Sequence, residues 1–127
     1  MPKVLSVIDS AYRASLEEQD DAGLWFSSAV AKAGADITLL LTGNAVNYVT
    51  TGHHGEPLQL GGGTIAFPMD PNVDIKRAAD GGCACFFIRE DAEERGIDTA
   101  KVMAGVEAIS RDKLADFVDS FDDIWHW

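Results

Sequence analysis

Three stretches of the chain are apolar almost from end to end, yet too short for ordinary helices. They are Val4-Leu5-Ser6-Val7-Ile8, Ile37-Thr38-Leu39-Leu40-Leu41 and Cys83-Ala84-Cys85-Phe86-Phe87-Ile88. A strand that alternates apolar and polar residues buries one face, whereas a strand apolar throughout buries both. Segments of helical length separate the three runs. The chain therefore predicts a parallel sheet covered on both faces by helices, with right-handed crossovers.

The segments between the runs carry helix and turn signals. Ser15-Leu16-Glu17-Glu18 has capping-box spacing. Beyond it Ala22, Trp25, Phe26, Ala29, Val30 and Ala33 recur at three and four, which predicts an amphipathic helix stopped at Gly34. Gly43 to Val49 predicts a short helix. Thr50 to Phe67 is rich in glycine and without periodicity, so it reads as a long loop or a loose hairpin around Leu58-Gln59-Leu60. Asp70-Pro71 starts a helix to about Ala79, closed by Gly81-Gly82.

Short helices are expected at Glu90–Glu94 and Thr99–Met103, with a strand at Gly105–Ile109. Ser110 caps a helix with Leu114, Phe117 and Val118 facing inward, and Asp123–Trp127 is the last strand. That makes about five strands, and no repeat or linker divides residues 1–127 into more than one domain.

Charge narrows the partners. Ten Lys and Arg against twenty-one Asp and Glu leave a net charge of −11. Such a surface suits neither nucleic acid nor an anionic membrane. The first residues lack the apolar core of a signal peptide, and no apolar run reaches the roughly 18 residues of a membrane span. Two cysteines, Cys83 and Cys85, build neither a disulfide framework nor a zinc ribbon, so a reduced, cytoplasmic protein is expected.

In open α/β sheets ligands bind beyond the carboxyl ends of the strands. That rule selects Asp9–Arg13, Thr42–Tyr48, Arg89–Asp91 and the tail after Trp125. The candidate ligand-binding residues are Asp9, Tyr12, Arg13, Asn44, Asn47, Arg89 and Asp91. Asn44 and Asn47 lie one helical turn apart and share a face. No dinucleotide or phosphate-loop motif occurs, and Gly61–Gly63 lacks the lysine and helix start of such a loop, so no cofactor is expected.

His53, His54 and Glu56 read as surface loop rather than a metal site. His126 is expected to point away from the face that Trp125 and Trp127 share. Cys83 and Cys85 share one face of a strand, at the end opposite the ligand rim, and read as buried and inert. No convincing acid/base pair is found among the carboxylates.

The order of these pieces resembles the DsrE/DsrF-like family, small sulfur-relay proteins. The likeness rests on the strand Val4–Ile8, the helix ending at Ala33-Gly34-Ala35-Asp36, and Ile37–Leu41 followed by Thr42-Gly43-Asn44-Ala45-Val46. It continues through Ala84–Ile88, the turn Ala92-Glu93-Glu94-Arg95-Gly96-Ile97, and Gly105-Val106-Glu107. Arg95-Gly96-Ile97 is the sharpest local match. The resemblance implies a flavodoxin-like three-layer α/β/α domain that assembles into oligomers. In some members a cysteine after the third main strand carries a persulfide. That position falls near Ile88 here, and a second family cysteine near Asp91, so this chain resembles a divergent member lacking the loop cysteine.

Three functions follow. The chain is a non-catalytic accessory protein that binds a small ligand or a protein partner within a homo-oligomer. Alternatively it is a sulfurtransferase using Cys83 or Cys85 and passing sulfur to a carrier protein. The third reading is a small-ligand enzyme working through the polar residues of the rim. The first is preferred, because the thiol is missing where the chemistry would need it. Trp125 and Trp127 form either the last core strand or a subunit contact.

Overall fold

A computed structural model describes residues 1–11, 21–52, 57–65 and 70–127. Five parallel strands form the main sheet: β1 (Lys3–Ile8), β2 (Asp36–Leu41), β5 (Cys85–Ile88), β6 (Val106–Ile109) and β7 (Asp123–His126), in the order β6-β5-β2-β1-β7. Register is close: Val4 stands beside Ile37 and Ile8 beside Leu41, while Leu39 stands beside Cys85 and Ser6 beside Trp125. This is the flavodoxin-like α/β fold expected from the uninterrupted apolar strands. The segment rich in glycine holds an antiparallel hairpin, β3 (Leu58–Leu60) and β4 (Gly63–Ile65), turned at Gly61 with φ 57°.

Successive strand residues point to opposite faces. Val4 and Ile8, Ile37, Leu39 and Leu41, and Cys85 and Phe87 enter one core together with helices α1 (Ala22–Lys32) and α2 (Pro71–Asp80). Leu5, Leu40 and Ile88 enter a second, smaller core beneath α4 (Leu114–Asp119), with Leu114, Phe117 and Val118 packed on it as expected. Phe86, Phe117 and Phe121 stack edge to face there, with centroids 5.0 and 5.3 Å apart. The short helix α3 (Arg89–Glu94) contributes Ala92 to the first core. No helix among the described residues is long and apolar enough to cross a membrane.

The first helix corrects the sequence reading twice. It begins at Ala22, where Asp21 is the N-cap and accepts the N–H of Gly23 at 3.0 Å and of Leu24 at 3.3 Å. Ser15 and Glu18 of the expected capping box lie outside the described residues. The buried face is Gly23, Leu24, Ser27, Ser28 and Ala31, while Trp25 is 56% and Phe26 36% exposed.

The reason lies in close packing. The Ser27 hydroxyl shares a hydrogen bond with the Ser6 hydroxyl at 2.8 Å and donates to Gly23 O. The Trp127 indole donates to Ser6 Oγ at 2.9 Å and lies against Gly23. Small residues let α1 lie close to the sheet, and the polar atoms trapped there satisfy one another.

Other differences are local. The short helix expected at Gly43–Val49 is present as a 3-10 helix. Residues 99–103 form turns and bends instead of a helix. The strand expected from Cys83 begins at Cys85, because the Cys83 N–H goes to Ala78 O at the end of α2. Ser110 makes no cap bond to the helical turn that follows it.

Candidate functional site

The helices α1 and α2 serve the first core, whereas α4, reached from β6, serves the second. The connection leaving β5, through Ala92 of α3, therefore stays with the first face, and the connection leaving β6 crosses to the other. The crevice that an α/β sheet offers its ligands opens where neighbouring strands part in this way. Here that rule selects the rim beyond Ile88 and Ile109, between Glu90-Asp91 and Ser110-Arg111.

Charged side chains link the loops of that rim. Asp91 accepts the Gly43 N–H at 2.8 Å through one oxygen and the Arg111 guanidinium at 2.5 Å through the other. Arg111 also reaches Glu94 at 3.1 Å, and its backbone N–H donates to Glu90 at 2.7 Å. Ser110 donates to Glu90 at 2.9 Å. The Arg111 N–H beside it holds the Glu90 carboxyl below its ordinary range, and the bonds to Asp91 and Glu94 hold the Arg111 guanidinium in its charged form. Arg95 closes the next gap, donating to Asn44 Oδ1 at 3.1 Å and to the Asp91 carbonyl at 3.0 Å.

The expected site residues divide accordingly. Asp91 and Asn44 belong to this network. Asn47 folds back on Asn44, its amide donating to the Asn44 carbonyl at 2.9 Å. Asp9 lies at the other end of the rim and pairs with His126 at 2.9 Å across β1 and β7. His126 thus points away from the side on which Trp125 and Trp127 meet Phe26, as expected. Arg89 is exposed and makes no ion pair among the described residues. Tyr12 and Arg13 lie outside the described residues, as do His53, His54 and Glu56.

Sequence reasoning selected the segment that holds Glu90 without naming that residue, and missed Glu94, Arg95, Ser110 and Arg111 as site residues. The rule that chose the rim would have selected Ser110 and Arg111 too, had it been applied to the end of the strand predicted at Gly105–Ile109.

The two thiols stand apart from this rim. Cys83 and Cys85 are free and buried, at 0% and 2% exposure, at the amino end of β5. Burial pushes Cys83 up to about 11 and raises Cys85 as well. A thiolate forms readily only beside positive charge or at a helix N-terminus, and these sulfurs have neither. Among the described residues no group of three or more His, Cys, Asp or Glu is arranged to hold a metal ion.

No family model matches the chain, and no curated protein matches it. Among solved structures, the crystal structure of the ychN protein from E. coli superposes with a TM-score of 0.74, covering 100% of both chains at 21% sequence identity. A likeness at that identity is one of fold, and it supports the DsrE-like fold expected from the order of the elements.

Proposed function

We propose that this chain is a non-catalytic accessory protein of the DsrE-like kind, which binds a small ligand or a protein partner at its carboxyl rim as part of a homo-oligomer. One observation carries the reading. The rim that should hold a reactive thiol holds instead an acid–base lattice of Asp91, Arg111, Glu90 and Glu94, while both sulfurs are buried at the other end of β5. Groups paired in this way order three loops into one surface. Such a surface suits recognition more than sulfur transfer, since no thiol lies on it. The two free, buried cysteines accord with a reducing, cytoplasmic setting.

The partly exposed Phe26 beside Trp125 and Trp127 supports assembly, because aromatic residues are enriched in subunit contacts. Light scattering coupled to size exclusion tests that part, and a monomer at micromolar concentration removes it.

The sulfurtransferase alternative, through Cys83 or Cys85, is tested by mass spectrometry. The reduced protein, incubated with an excess of a thiosulfonate or polysulfide donor, should gain no sulfur while folded. A stoichiometric gain of one sulfur atom on either cysteine of the native protein would replace this reading with a sulfur relay.

A further inference from the structure

The helix layer holds a concave surface that shares no residue with the rim network. Because α1 leaves the carboxyl end of β1 and returns to the start of β2, its last turns lie toward the amino edge of the sheet, and those of α2 likewise. Between α1 and α2, running along α1 from Leu24 to Lys32, is a groove of about 260 Å³ lined by Leu24, Trp25, Ser28, Ala29, Lys32, Asp74 and Arg77. The α1 residues recur at four and three, so they form one stripe.

Three features of this groove are left unexplained by folding. Ser28 is only 6% exposed, yet among the described residues its hydroxyl has no hydrogen-bond partner. Every fully enclosed side-chain polar atom among the described residues does have a partner, so the Ser28 oxygen must open on the groove it lines. Among the described residues Lys32 pairs with no carboxylate, and its stem is seated over Gly81, where an added Cβ would come within 3.3 Å of it. Trp25 is 56% exposed at the edge of the groove, which Ala29 and the fully buried Leu24 also line. The adjoining cleft shares Lys32 and Arg77 and adds Lys76 and Asp80. Three cations against Asp74 and Asp80 make this a locally positive place on a chain of net charge −11.

We propose that the groove between α1 and α2 binds a small planar aromatic anion, one ring bearing a carboxylate or a phosphate. The volume exceeds the roughly 150 Å³ that encloses a benzene ring and falls short of the roughly 300 Å³ where drug-sized sites begin. The ring stacks on the Trp25 indole over Leu24 and Ala29. The acid group takes the Ser28 hydroxyl and the Lys32 ammonium, with Arg77 at the mouth, already shared with Asp74 at 3.4 Å.

Titration of the ¹⁵N-labelled full chain, followed by amide and indole resonances, tests this with sodium benzoate, phenyl phosphate and benzylamine. Saturable shifts are expected with the anions, confined to residues 24–32 and 73–81, and the tighter of the two identifies the acid group. Lys32→Met weakens binding about tenfold through loss of a charge-assisted bond, and Ser28→Ala weakens it less. Trp25→Ala, an exposed change that leaves the core intact, removes the shifts. The proposal falls if neither anion gives a saturable shift, if the shifts centre on the carboxyl rim, if benzylamine binds equally well, or if Lys32→Met changes nothing.

Discussion

The Asp91 carboxylate accepts the Gly43 N–H at 2.8 Å, joining loops 48 residues apart in sequence. Its other oxygen takes Arg111, so one side chain fastens the carboxyl ends of β2, β5 and β6. Asp91→Ala strips a half-buried N–H of its partner and should cost about 1–3 kcal/mol in urea denaturation. Asp91→Asn keeps an acceptor and should cost less. Arg111→Met removes an exposed partner and should shift the midpoint least of the three. Equal losses for all three variants would show that the network does not fasten the loops in this way.

A methyl group at position 23 has nowhere to go. A Cβ there would stand 3.0 Å from the Trp127 ring and 3.3 Å from the Ile8 side chain. Alanine brings about 1 kcal/mol of helix propensity, but overpacking costs about 1–3 kcal/mol. Gly23→Ala is therefore expected to lower stability, with a change in the near-ultraviolet tryptophan signal. A stabilised variant would mean that β7 shifts freely.

The buried Asp21 carboxyl caps α1 and accepts the Tyr48 hydroxyl at 2.7 Å. Tyr48→Phe keeps the ring and removes the donor, which should cost about 2 kcal/mol. Asp21→Ala should cost more, since it removes the cap as well. Chemical denaturation of the two single variants and the double variant measures the coupling between them. Strictly additive losses would argue against the bond.

Burial raises the Cys83 thiol from 9.0 to about 11. The folded protein therefore keeps a proton that the unfolded chain has lost between those values. This contribution is fully present below pH 9 and is lost as pH rises toward 11, at about 1.4 kcal/mol per pH unit for each such thiol. Cys83→Ala should flatten the alkaline decline. In the native protein at pH 8 neither cysteine should react with a disulfide reagent, whereas both should react in denaturant. Rapid labelling of the folded chain would contradict the buried placement.

Much of the architecture could be read from local pattern. The strands at Val4–Ile8, Ile37–Leu41 and Cys85–Ile88 announced themselves by apolar runs, and Asp70-Pro71 announced α2, because burial and capping depend on residues close in sequence. The inward face of α1 did not. Its hydrophobic pattern favoured Trp25 and Phe26, but Ser6 and Trp127 demanded small, polar residues against them. Of the rim, topology placed Asp91 and Asn44 and could also have placed Arg111, yet it could not say that Asp91 would meet Arg111 or that Arg95 would reach Asn44.

The alternation of apolar strands and helices thus settled the layers and the end of the sheet where polar groups gather. Only the tertiary structure decided which charges meet there, how deep the thiols lie, and which side of α1 faces the sheet. Those outcomes depend on residues far apart in the chain arriving within a few ångströms of each other. No short window of sequence encodes such a distance.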